Sequence, residues 1–131
     1  MLFVCVHNAG RSQMAEALLN KLASSRHLAI CGTSAGTVGG KTLNPAAVEV
    51  MREIGIDMST QTSKALTREM IEQADKVITM GCGVESKACP ANYYVTEDWG
   101  LDDPAGQPLE AVRAIRDQIK ARVEQLIEAM A

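Results

Sequence analysis

Cys5 is followed by five residues and then by Arg11 and Ser12, directly after an apolar opening, Met1 to Cys5. The intervening residues are Val6, His7, Asn8, Ala9 and Gly10. A loop of this length between a strand end and a helix start can turn successive backbone N–H groups toward one point, and the helix N-terminus adds partial positive charge. Such a nest attracts a tetrahedral anion. Cys5 sits where the N–H groups converge, so the field that favours a bound oxyanion also favours a thiolate nucleophile. Arg11 supplies a planar fork of donors for two oxygens of the same anion. Ser12 either caps the helix or donates its hydroxyl to the Cys5 sulfur. Asn8 tolerates left-handed backbone angles and can pin the loop through its amide, while His7 supports the loop's shape. The bland alternative for Cys5 is a small buried apolar residue at a strand end.

A second group of residues could exchange sulfur. Cys82 and Cys89 stand seven positions apart, with Gly81 and Gly83 flanking the first. If the segment were helical, their Cα atoms would be roughly 10 Å apart, whereas a disulfide needs roughly 4.4 to 6.8 Å. A redox cycle through this pair therefore requires the segment to unwind or loop. The alternatives are inert packing or a zinc site, for which the chain has only His7 and His27 besides its four cysteines. Asp103, held extended by Pro104, can aim a carboxyl across a cleft and protonate a leaving oxygen. It can equally be a turn residue.

These residues need strands and helices to carry them. Met14, Ala17, Leu18 and Leu22 recur at helical spacing within a first helix, Ser12 to Ala23, with Glu16, Asn20 and Lys21 facing away. Leu28 to Ser34 reads as a second strand that carries Cys31 into the core, and Thr37 to Asn44 as a loop. Asn44 and Pro45 open a second helix buried through Val48, Met51 and Ile54 and stopped by Gly55. Thr67 caps a short helix through Ala74, and Lys76 to Met80 is a third strand. A fourth strand falls at Tyr93 to Thr96. Leu109 to about Met130 is a long helix buried through Val112, Ile115, Ile119, Val123, Leu126 and Ile127. The alternation predicts an α/β fold, a four-stranded parallel sheet with helices on both faces. Ligands of such folds bind beyond the carboxyl ends of the strands, so the loops after Cys5, Met80 and Thr96 are expected to share one site.

Bulk properties narrow the function classes. The 131 residues suit a single domain, 1–131. A net charge of −3 disfavours nucleic acid and anionic membranes as partners, so anion attraction is local to the loop. One Trp, two Tyr and one Phe leave little material for stacking on bases. With neither a membrane-length apolar run nor a basic leader, a cytoplasmic protein is expected. Four cysteines in such a chain suggest catalysis or metal binding rather than a disulfide framework.

The Cys5 to Ser12 loop together with Asp103 and Pro104 resembles the low-molecular-weight protein tyrosine phosphatase fold. Within that fold, Cys82 and Cys89 resemble the thioredoxin-coupled arsenate reductases. The resemblance implies Cys5 as nucleophile on arsenate, Arg11 and the loop amides as oxyanion binders, and Asp103 as general acid. It further implies a relay in which Cys82 attacks Cys5, Cys89 attacks Cys82, and thioredoxin reduces the Cys82–Cys89 bridge. No organic cofactor or resident metal is implied, and a monomer is expected. Relatives often bind potassium at positions matching Asn8, Glu16, Ser34 and Thr62; Lys64 stands where a carboxylate would complete that site, so weak or absent potassium dependence is expected. Gly10 replaces a cysteine found in some relatives. The alternative activity is a phosphatase, which would not need Cys82 and Cys89 and commonly carries tyrosine where Ala105 stands. A reductase recycled by mycothiol or glutathione is the alternative for the reductant.

Overall fold

The computed structural model describes residues 1–5, 8–36, 42–80, 97–101, 104 and 106–130. The apolar opening forms β1 (Leu2–Cys5), buried at all four residues. It leads through the loop into α1 (Arg11–Ser25), then β2 (Thr33–Gly36), α2 (Pro45–Glu53), α3 (Arg68–Gln73), β3 (Val77–Thr79), β4 (Glu97–Asp98) and α4 (Leu109–Met130). The sheet runs β2-β1-β3-β4 with every pair parallel. Three strands of three or four residues carry it, and the two-residue β4 adds to β3 at one edge. The expected strand at Tyr93 to Thr96 lies outside the described residues; the described pairing begins at Glu97.

Alternation along β1 sorts side chains to two layers. Phe3 and Cys5, with Ile78 and Met80, pack into the larger core against α1, α2 and α4. Leu2, Val4 and Val77 pack with Ala35 and with Ile71 of α3. Helices therefore cover both faces. The six apolar residues expected along α4 are all buried, so this helix closes the larger core over much of its length. Asn44 and Thr67 cap α2 and α3 as expected, accepting from Ala46 N at 2.9 Å and Met70 N at 3.2 Å. Gly55, with φ 79°, follows the last turn of α2. Val48 and Ile54 are only half-buried, and Ala47, Val50 and Met51 make the inner face of that helix.

The second strand is displaced from the expected Leu28 to Ser34. Leu28 N donates to Ala23 O at 2.9 Å, and His27 takes a left-handed φ of 56°, so these residues finish α1 rather than pair. Asn20 then grips Gly32 from both sides, accepting from its N–H at 2.7 Å and donating to its carbonyl at 3.1 Å. A side chain fills the backbone valences that a ladder would use. Cys31, expected in the core, is exposed in this connection.

Candidate active site

The parallel register gathers the carboxyl ends of three strands. Cys5 pairs with Gly36, and Met80 N donates to Val4 O at 3.0 Å, so Cys5, Gly36 and Met80 end side by side. Cys5 is 3 % exposed. Its Sγ lies 2.9 Å from Ser12 Oγ and accepts from the Asn8 backbone N–H at 3.2 Å. Asn8 has φ 53°, the left-handed conformation that turns its N–H back toward the sulfur. Its side-chain Nδ2 donates to Ser12 Oγ at 2.7 Å. With Ser12 Oγ accepting there, its single proton is available to the sulfur. Of the two roles expected for Ser12, the geometry selects this one: Gly10 is the N-cap of α1, without a side-chain cap bond.

Arg11 opens α1 and is buried, and one nitrogen, Nη1, donates to Met80 O at 3.1 Å and Leu101 O at 3.0 Å. The guanidinium is thus anchored to the end of β3 and to the segment that leads to Asp103. The loop is buttressed from α2 as well, where Asn44 N donates to Ala9 O at 2.8 Å. Gly10 lies against Pro104: a Cβ on Gly10 would stand 2.8 Å from Pro104 Cγ. No acidic residue occupies the first turn of α1, so nothing there competes for an incoming anion.

The positions considered for an ion come together behind Asn8. Ser34 Oγ donates to Glu16 Oε1 at 2.9 Å, and Lys64 Nζ lies 3.6 Å from the same oxygen while donating to Thr62 O at 3.1 Å. Lys64 N donates to Asn8 Oδ1 at 2.8 Å. The segment is held to the sheet by Gly36 N to Lys64 O and Leu66 N to Gly36 O, both 2.8 Å. The Lys64 ammonium thus stands beside two oxygens of the expected ion positions, Glu16 Oε1 and Thr62 O.

Two residues of this cluster escaped the sequence reading. Gln13 is fully buried, and its Nε2 reaches Asn8 O, Asn8 Oδ1 and Thr62 O at 3.0, 2.8 and 2.9 Å. Gln61 Nε2 donates to Gln13 Oε1 at 2.6 Å and to Gln13 O at 3.2 Å. The only local signal was a polar side chain at Gln13, one turn before the apolar Ala17. Val6, His7, Cys82, Cys89, Asp103 and Ala105 lie outside the described residues.

A buried thiol inside a ring of donors at a strand end, with an anchored arginine six positions later, is an arrangement for covalent capture of an oxyanion. The family of low molecular weight phosphotyrosine protein phosphatases matches residues 1–131. The chain belongs to that family. Among its relatives, a protein named glutaredoxin arsenate reductase from Synechocystis sp. is 41 % identical over 97 % of this chain and 95 % of its own length. A solved structure described as an arsenate reductase in the phosphate binding state superposes with a TM-score of 0.83 at 39 % identity, covering 99 % of this chain and 97 % of its own. The low molecular weight protein tyrosine phosphatase from T. tengcongensis superposes at 0.86 with 29 % identity, covering 98 % and 97 %. Proteins named for both activities are thus found among the relatives that share this fold.

Proposed function

We propose that this family member is a cytoplasmic arsenate reductase of a single domain, 1–131, recycled by thioredoxin. The observation that carries the reading is Cys5 Sγ held between Ser12 Oγ and the Asn8 N–H, in a chain that also carries Cys82 and Cys89. The similarity to proteins named arsenate reductases supports arsenate as the substrate.

The Cys5 thiolate attacks arsenic, an S–As bond forms, and one arsenate oxygen leaves as water with a proton from Asp103. Arg11 and the loop amides hold the remaining oxygens. Cys82 then attacks Cys5 Sγ; an S–S bond forms and the S–As electron pair stays on arsenic, so As(V) leaves as arsenite. Cys89 attacks Cys82, which frees Cys5, and thioredoxin reduces the Cys82–Cys89 disulfide. Two thiols are oxidised for each arsenic reduced by two electrons. A reducing cytoplasm keeps these thiols available. Lys64 supplies the positive charge beside Glu16, in place of potassium, and no other cofactor is required.

The test is arsenate-dependent NADPH oxidation with thioredoxin and its reductase, beside para-nitrophenyl phosphate hydrolysis. The expected outcome is sustained oxidation with thioredoxin, and in Cys89→Ser the release of one arsenite per enzyme without further turnover. Continued thioredoxin-linked turnover of Cys89→Ser would contradict the relay. The name of the Synechocystis relative favours a second reading for the reductant, so a parallel arm supplies glutathione and glutaredoxin. Turnover in that arm alone would replace thioredoxin. Hydrolysis with no arsenate reduction in either arm would make the chain a phosphatase.

A further inference from the structure

We propose that Gln13 and Gln61 form a positioning couple that holds Asn8, and through it the Ser12 hydroxyl, in place beside the Cys5 sulfur. The inference rests on the reading of Cys5 as the nucleophile and adds two residues to its machinery.

Backbone groups anchor each amide, so the directions follow from chemistry. Lys64 N can only donate, so the Asn8 atom it meets at 2.8 Å is the oxygen, and Asn8 Nδ2 is left to donate to Ser12. The carbonyls of Asn8 and Thr62 can only accept, so the Gln13 atom facing both is the nitrogen. Gln13 Oε1 is then turned toward Gln61, whose own nitrogen is identified by the Gln13 carbonyl it also meets. One ordered series of donors runs from Gln61 through Gln13 and Asn8 to the Ser12 hydroxyl, which meets Cys5 Sγ at 2.9 Å and donates to it when the sulfur is a thiolate. Without the Gln61 donor, Gln13 Oε1 is a buried acceptor missing its partner at 2.6 Å, and turning the amide would bring that oxygen against two carbonyls. The disturbance then falls on Asn8, which holds both its left-handed φ and the Ser12 hydroxyl in place.

Gln61 is the accessible end of the couple. It is half-buried and lines a cavity of about 540 Å³ together with Thr42, Leu43 and Val48, so shortening it leaves the main core intact. The charged groups around Cys5 are unaltered by a change at Gln61: Arg11 opens α1, and the Glu16–Lys64 pair lies behind Asn8. His7 and Asp103 lie outside the described residues.

The experiment labels the full chain with iodoacetamide and reads the Cys5 and Cys31 peptides by mass spectrometry. Exposed Cys31 serves as the internal reference. In Gln61→Met, which keeps the length and removes the donor, the Cys5-to-Cys31 ratio near pH 6 should fall about tenfold while the ratio near pH 9.5 stays within about twofold. Gln61→Ala should show the same split and provides the measurement if the first variant does not fold by circular dichroism. An unchanged ratio near pH 6 would overturn the proposal, as would an equal fall at both pH values, which a loosened loop alone would produce. Labelling needs no oxyanion, so failure here leaves the arsenate reading standing. Failure to reduce arsenate likewise leaves the couple intact.

Discussion

At Asn8 a φ of 53° is sustained by contacts on every polar atom described: its N–H meets Cys5, its Nδ2 meets Ser12, and both of its oxygens take Gln13. Left-handed backbone costs an L-residue about 1–2 kcal/mol, less for asparagine, and buried hydrogen bonds at about 1 kcal/mol each offset it. Asn8 and Ser12 were legible in the sequence because their types have local uses in a tight loop. Gln13 and Gln61 were not, since an amide pair 48 positions apart leaves no local pattern. Lys64 stands out in the sequence as a departure from the expected ion positions, and its ammonium lies 3.6 Å from Glu16 Oε1. Adding potassium at constant ionic strength should therefore leave arsenate turnover unchanged, whereas Lys64→Asp should gain a potassium response; a clear rise in the parent enzyme would contradict this. Gly10 offers a steric test. Gly10→Ala puts a methyl 2.8 Å from the Pro104 ring and displaces the residue next to Asp103. Turnover should fall about tenfold or more for a displacement on the order of 1 Å, with Cys5 labelling retained.

Between elements, the clearest link outside the site ties α2 to α4. Glu53 receives Arg113 Nε and Nη2 at 2.7–3.0 Å, and Arg116 Nη1 at 2.9 Å; the same Arg116 nitrogen reaches Val50 O at 2.8 Å. Because α2 also presents Asn44 to the loop carbonyl of Ala9, the clamp sets the height of one wall of the site. Hydrogen bonding from Arg113 holds the Glu53 carboxyl below its ordinary value of 4.5, aided by Arg116 and opposed by partial desolvation. A lowered native value contributes stability above the unfolded value and loses it as pH falls through the native one. The melting temperature of the parent should exceed that of Glu53→Gln at neutral pH, and the gap should close as pH drops below about 4.5. A gap that stays constant into acid would count against the clamp. Helix periodicity and caps made α2, α3 and α4 readable in the sequence. The displaced β2 was not readable, because Asn20 claims Gly32 from a neighbouring helix and no strand propensity reports that.

For the whole molecule, the two core layers follow from alternation of side chains along β1 and from the stripe of α4, of which the stripe is visible in the residue order. Ile119 and Val123 are fully buried at the centre of that stripe. Ile119→Ala should cost about 2–5 kcal/mol, read as a lower midpoint in urea unfolding with the Cys5 labelling profile of the surviving native fraction unchanged. That the ends of β1 and β3 and the Leu101 segment meet at Arg11 was legible only through the general rule for parallel sheets, and the contacts that join them were not. Arg11 supplies the sharpest of these, bonding to carbonyls 69 and 90 positions away. Such bonds cannot form in a nascent or half-folded chain, whose loop is present before Met80 and Leu101 arrive. The competence to hold an oxyanion therefore appears in time with the closing of the sheet. During refolding, protection of Cys5 by inorganic phosphate should arise only with the phase that brings Met80 and Leu101 to Arg11.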